Sequence, residues 1–212
     1  MKRTIVRHGS IAAIALTLSL GLAACGGDSE GDTAAQDDTT SQTSPSESES
    51  MAMDASADTF GAGCSAIPSD GKGSFDGMVT DPVGTAASNN PLLKTLVAAV
   101  TEADLVDTLN SAPALTVFAP TDDAFGKIPK KDLDAVLADK KTLTKILTHH
   151  VVEGQLGPDE IVGTHDTLAG DTVTVEGDIP ELTANEATII CGNIPTANAT
   201  VYVIDSVMMP TM

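Results

Sequence analysis

The chain has 212 residues, with 30 Asp and Glu against 11 Lys and Arg and a formal charge of −19. Four Phe, one Tyr and no Trp complete a composition poor in rings. It offers neither a phosphate-neutralising surface nor a base-stacking platform, which excludes nucleic acid as a partner. The length suits one domain of ordinary size with extensions.

The N-terminus has the layout of an export signal: Lys2, Arg3 and Arg7, then an apolar run from Ile11 to Leu20, then small residues. The run is shorter than the roughly 20 residues that a membrane-spanning helix needs. Leu22-Ala23-Ala24-Cys25 resembles the lipobox of bacterial lipoproteins. That resemblance implies removal of residues 1–24 and a diacylglyceryl group on the Cys25 sulfur, a double-chain anchor that holds stably where one acyl chain is marginal. The competing reading is an ordinary secretory signal with an incidental cysteine. Every acid lies after Cys25, so removing the signal takes away bases alone and leaves a more acidic chain. With Cys25 modified, Cys64 and Cys191 remain. In an oxidising compartment two such thiols usually pair, the alternative being two separate buried thiols. They are too few for a cysteine-built zinc site.

Residues 26–63 carry nine acids, no base and almost no large apolar side chain before Phe60. Such a segment cannot offset its ordering entropy, and the sequence predicts a disordered tether with an r.m.s. span of about 35 Å. The folded domain is expected over 64–212. Its first half reads as helices. One spans 82–88 with Asp81 as N-cap. A second starts at Asn90-Pro91 and carries Leu92, Leu93, Leu96, Val97 and Val100 at helical spacing. A third holds Leu105, Val106 and Leu109 and ends at Pro113. After a short strand at 115–118, helices are predicted over 131–137 and 142–148. The second half reads as strands: Val151-Val152, a one-turn helix at 158–162, then strands at 172–175, 181–184 and 187–190 linked as hairpins. The β-branched run 201–207 is the candidate central strand. Helices first and strands later indicate an α+β fold.

Three stretches carry more than periodicity. Thr116-Val117-Phe118-Ala119-Pro120-Thr121-Asp122-Asp123-Ala124-Phe125 is a strand running into a helical turn capped by Thr121. Leu147 to Gly154 contains the pair His149-His150. Tyr202 to Pro210 is a strand closed by proline. Together, in this order and spacing, they resemble the fasciclin (FAS1) domain over roughly residues 74–212. The resemblance implies a wedge of two β-sheets with several helices packed around it. It assigns motif positions to Thr116, Phe118, Pro120, Thr121, Phe125, His150, Tyr202 and Asp205. Ala87 to Pro91, Cys191-Gly192 and Thr196 to Tyr202 are shared with actinobacterial secreted and lipid-anchored fasciclin antigens. In those a disulfide joins the domain start to a late strand, which implies the pairing of Cys64 with Cys191. The family implies adhesion, with an extracellular or cell-envelope protein or glycan as partner and no cofactor. Some animal relatives contact integrins through an Asp-Ile pair. The matching Asn193-Ile194 lacks the acid, and that role is not carried over.

The remaining candidates have modest readings. His150 is expected in the packed interior, and His149, in a position where the family has Tyr, is expected to be partly exposed. Adjacent histidines point in different directions and do not by themselves ligate one metal. His165 reads as a turn residue. Asp122 and Asp123 suit the positive end of a helix better than a calcium loop. Asn198-Ala199-Thr200 is a formal sequon without meaning in a bacterial lipoprotein. No nucleophile elbow, zinc-protease helix or phosphate loop occurs, so no catalytic, cofactor or metal residue is expected. Two functions follow: an adhesion or interaction module at the outer surface, anchored or shed, or an envelope carrier of an apolar small molecule or lipid. The second rests on a chain rich in aliphatic residues and Met.

Overall fold

A computed structural model describes residues 55–210. Seven strands are present: β1 (Leu115–Pro120), β2 (Val151–Glu153), β3 (Gly163–Asp166), β4 (Thr172–Asp178), β5 (Glu181–Ala184), β6 (Ala187–Pro195) and β7 (Ala199–Ile204). Their order is β2-β1-β7-β6-β5-β4-β3, with β1 and β7 parallel and every other pair antiparallel. β6 belongs to two layers. Ala187 and Thr188 pair with β5, whereas Ile189 to Pro195 pair with β7 through two register shifts. Such irregularities bend a strand, and here they separate a β2-β1-β7-β6 layer from a β6-β5-β4-β3 layer. This is the α+β wedge expected of the sequence. The outer strands of the two layers approach at one bridge, Val152 with Thr167, beside which Leu168 N donates to Val151 O at 2.8 Å.

Side-chain alternation decides what each layer packs against. In β1, Leu115, Val117 and Ala119 face the helices, and Phe118 faces the space between the layers. In β7, Val201 and Val203 face the helices, and Tyr202 and Ile204 the space between. Both strands are buried along their whole length, as a central parallel pair requires. The helices are α1 (Phe75–Val79), α2 (Val83–Asn89), α3 (Lys94–Glu102), α4 (Val106–Ser111), α5 (Asp122–Gly126), α6 (Lys130–Ala138) and α7 (Lys140–His149), preceded by a 3-10 turn over Ala62–Ala66. Leu93, Leu96 and Val100 from α3 and its approach, and Leu143 and Leu147 from α7, cover the first layer.

Several boundaries differ from expectation, each because a distant group takes over a local role. The expected cap Asp81 instead accepts from Asn89 Nδ2 at 3.2 Å. The first amides of α2 are bound from far along the chain, Val83 N by Asn198 Oδ1 and Gly84 N by Asn110 Oδ1, both at 2.9 Å. Asn90 closes a turn on Leu92 N (3.0 Å), so α3 starts at Lys94 and not at Pro91. Residues 158–162 form one hydrogen-bonded turn on Gly157 O, and not a helix. The final strand stops at Ile204 because Asp205 turns to bond Thr188. Packed structure also reaches back past Cys64 into the segment expected as tether. Phe60 and Gly192 exchange main-chain bonds at 3.2 and 2.8 Å, and the Phe60 ring lies 6.3 Å from that of Tyr202. Gly192 lets the ring lie there: a Cβ would stand 2.4 Å from its tip and the ring would have to move.

Candidate interaction surface

The motif residues form an interior frame. Thr116 Oγ1 donates to Gly154 O at 2.7 Å and accepts from Leu156 N at 2.9 Å, while Tyr202 OH donates to Leu156 O at 3.0 Å. Two central strands thereby pin the 154–156 segment. Burial, reinforced by Glu160, pushes the Tyr202 hydroxyl well above its usual range and keeps it a neutral donor. The Phe118 and Tyr202 rings sit 5.9 Å apart, and Phe118 N donates to His150 O at 2.9 Å. At the other end of the strands Pro120 lies opposite Ile204, Thr121 N donates to Ile204 O at 3.2 Å, and the Thr121 hydroxyl caps α5 through Ala124 N at 3.2 Å. Phe125 is buried under this turn. Asp205 accepts from Thr188 N at 2.8 Å and from Lys127 Nζ at 2.9 Å. Burial alone would raise its carboxyl, and these partners together hold it below the ordinary range.

His150 uses both ring nitrogens. Nδ1 lies 2.8 Å from Ile146 O, and Nε2 accepts from Met208 N at 3.0 Å. The second contact requires an unprotonated Nε2, and burial accordingly drives the ring down to about 4, with the bond to Ile146 opposing and neighbouring His149 assisting. A neutral imidazole with no free nitrogen ties α7 to the chain beyond β7 and has nothing left for catalysis.

His149 is not partly exposed, as expected, but 2% exposed. Its Nδ1 lies 2.6 Å from Asp171 Oδ1, an oxygen that the Thr167 hydroxyl also bonds. Burial would raise the Asp171 carboxyl, but the bonds from Thr167 and His149 bring it below its usual value. The opposite atoms, His149 Nε2 and Asp171 Oδ2, are buried without a partner. Sequence reading missed Asp171 because it stands in an unremarkable Gly170-Asp171 turn with no local pattern linking it to the pair.

His165 lies in β3 with Nε2 2.8 Å from Ile161 O. Asp122 heads α5 and also caps α3, its Oδ1 accepting from Thr95 N at 2.7 Å. Asn193 donates to Asp58 O at 3.1 Å, and Ile194 is buried in the core, so this pair presents no contact of the integrin type. Asn198, besides capping α2, donates to Leu109 O and Ala112 O at 2.8 and 2.9 Å. Cys64 and Cys191 form a disulfide across 127 residues. Cys25 lies outside the described residues. Among the described residues no group of three His, Cys, Asp or Glu is arranged to hold a metal.

What is left facing solvent is therefore elsewhere. Val162 and Leu168 flank β3, Ile179 tops the β4–β5 hairpin and Met209 follows β7. An apolar cleft between α2, α3, α4 and α7, lined by Val97, Val100, Val106 and Leu109, holds about 60 Å³. That is well below the roughly 150 Å³ of a cavity that accepts benzene. A more polar groove of about 560 Å³ runs between β2 and β3.

The Fasciclin domain profile matches residues 91–210. The chain belongs to the fasciclin domain family. Among curated fasciclin relatives, the Mycobacterium bovis cell surface glycolipoprotein MPB83 is 48% identical over 179 residues, covering 81% of this chain and 80% of that protein. The M. bovis immunogenic protein MPB70 is 49% identical over 164 residues, covering 74% and 84%. Among solved structures, a FAS1 domain pair from the insect cell adhesion molecule Fasciclin I aligns over 55% of this chain and 45% of that one, with a TM-score of 0.46 and 20% identity.

Proposed function

We propose that this fasciclin protein is a lipid-anchored surface adhesion module, held through Cys25 at the outer face of the cell membrane and set off by its acidic N-terminal segment. It binds an extracellular or envelope protein or glycan. The observation that carries this reading is the inward orientation of the family motif, Asp205 alone being partly exposed. Thr116, Tyr202 and His150 spend their polar atoms on fixing the main chain, and Asp205 divides its carboxylate between Thr188 N and Lys127, which leaves the exposed rim for contact. The lipobox-like Leu22-Ala23-Ala24-Cys25 and the name of the MPB83 relative, a cell surface glycolipoprotein, support the location. The volume of the helix-side cleft weighs against a resident acyl chain.

Intact mass of the native protein, extracted gently from its own membrane under non-denaturing conditions, tests the proposal. The expected mass begins at Cys25, carries acyl groups and includes no stoichiometric passenger. An unmodified Cys25 overturns the anchor. An apolar passenger released on unfolding puts the carrier function in place of adhesion.

A further inference from the structure

β3 is the outer strand of the second layer. On one side it pairs with β4 from Gly163 to Asp166. On the other it faces β2 across the groove, and the two meet at the Val152–Thr167 bridge, where Leu168 N also donates to Val151 O, beyond the Asp166 end of the strand. The main chain of β3 has a defined outward face. Thr174, directly opposite Thr164, turns both of its main-chain groups to the far side: its N–H donates to Asn185 Oδ1 at 3.0 Å and its carbonyl accepts from Asn185 N at 2.7 Å. In an antiparallel ladder, a residue bonded away from its neighbour stands in a non-hydrogen-bonded pair, and the residue opposite also points its groups away. The N–H and carbonyl of Thr164 are therefore directed from β4 toward the groove. Leu156 and Leu168 wall that groove, and Glu153 and Asp166 stand exposed on it.

The charge of this half of the molecule selects the occupant. After Lys145 the chain contains ten Asp and Glu and neither Lys nor Arg. A second copy presenting the same edge would bring carboxylates against carboxylates. A strand carrying cations meets complementary charge on both sides of an open main-chain edge, and strand addition is a recurrent way to bind extended peptides. We infer that the β3 edge takes an extended, lysine- or arginine-bearing segment of a partner protein as an added strand, its main chain bonded to Thr164 and its cations set against Glu153 and Asp166. The inference rests on the adhesion reading and names a contact site and partner class for it.

The test uses the isotopically labelled mature chain and the peptide acetyl-Lys-Val-Lys-Val-Thr-Val-Lys-Val-amide at low ionic strength, followed by amide shifts and exchange. The expected result is a response concentrated at Thr164 to Asp166, with slower exchange of the Thr164 amide. N-methylation of alternate peptide residues, which removes main-chain donors without changing charge, should weaken binding at least tenfold for one of the two possible sets. Glu153→Gln with Asp166→Asn should weaken it severalfold and flatten its salt dependence. The same peptide with Glu for Lys should not bind. Three results overturn the inference: no response up to millimolar peptide, a response mapping away from β3, or binding indifferent to both N-methylated sets, which would mean mere attraction of a polycation. Because N-methylation alters only the peptide, a misfolded variant does not obscure the outcome. If the anchored protein captures a partner while this edge stays unprotected, the inference fails and the adhesion reading stands. An unmodified Cys25 overturns the anchor and leaves the edge contact standing.

Discussion

The two β-layers share β6 but live in different surroundings. The β2-β1-β7-β6 layer has helices on one face and the second layer on the other, and its central strands are buried throughout. The β6-β5-β4-β3 layer alternates buried and solvent-facing positions along β4 and β5 and ends at β3, which meets β2 only at its Thr167 end. Residues by which the family is recognised cluster in the first layer, where a change disturbs packing. The second layer carries solvent-facing side chains on its outer face, and the contact proposed above lies there. The family motif and the proposed contact thus occupy different strands.

Replacing a first-layer side chain should have the largest effect. Phe118→Ala empties a fully buried position between the layers and should cost about 3–5 kcal/mol in denaturant unfolding. A loss near zero would mean that the layers close over the gap and that the contrast between them is overstated.

Acid should act through the same layer. The unfolded His150 takes up a proton near 6.5, the folded one near 4. Between these values the unfolded state binds the proton and the folded state does not. The contribution is complete above about 6.5, falls as pH drops and is fully lost just below 4, amounting to about 3 kcal/mol. Unfolding free energies of wild type and His150→Gln against pH should converge across that window. Parallel curves would remove His150 as their cause.

Asn198→Ala should cost about 1–3 kcal/mol, since it strips a helix amide and two carbonyls of their partner at once. Thermal melts of Asn198→Ala and Asn110→Ala, singly and combined, would show whether the two caps on α2 act together. In the second layer, Ile179→Ala at the exposed hairpin tip should stay within about 0.5 kcal/mol of wild type. A larger penalty in the same melts would show that this layer is as tightly specified as the first.

The features legible in the sequence are those set by neighbours along the chain. The six-residue buried run of β7, the strand leading to Pro120 and the Thr121 cap follow from β-branching, proline and a hydroxyl placed three residues before an amide. The illegible ones are set across the chain. Nothing near Val83 indicates that its amide is bound by a residue 115 positions away. Nothing near Lys94 reveals that Asp122 caps its helix. Gly163 to Asp166 carries no hydrophobic alternation, because β3 is an edge strand with exposed side chains, so it reads as a turn. His149 looks exposable until Asp171 is seen beneath it.

The Cys64–Cys191 bond also has a mechanical meaning. Tension applied to the chain ahead of Cys64 passes through one covalent step into β6, the strand common to both layers, while the 127-residue loop that contains every helix from α1 to α7 hangs slack beside the load path. A grip on the β3 edge would then load the β3–β4, β4–β5 and β5–β6 ladders, with the Val152–Thr167 bridge to β2 beside them. Under pull the ladders would be the joints that yield, sparing most of the helical half of the molecule.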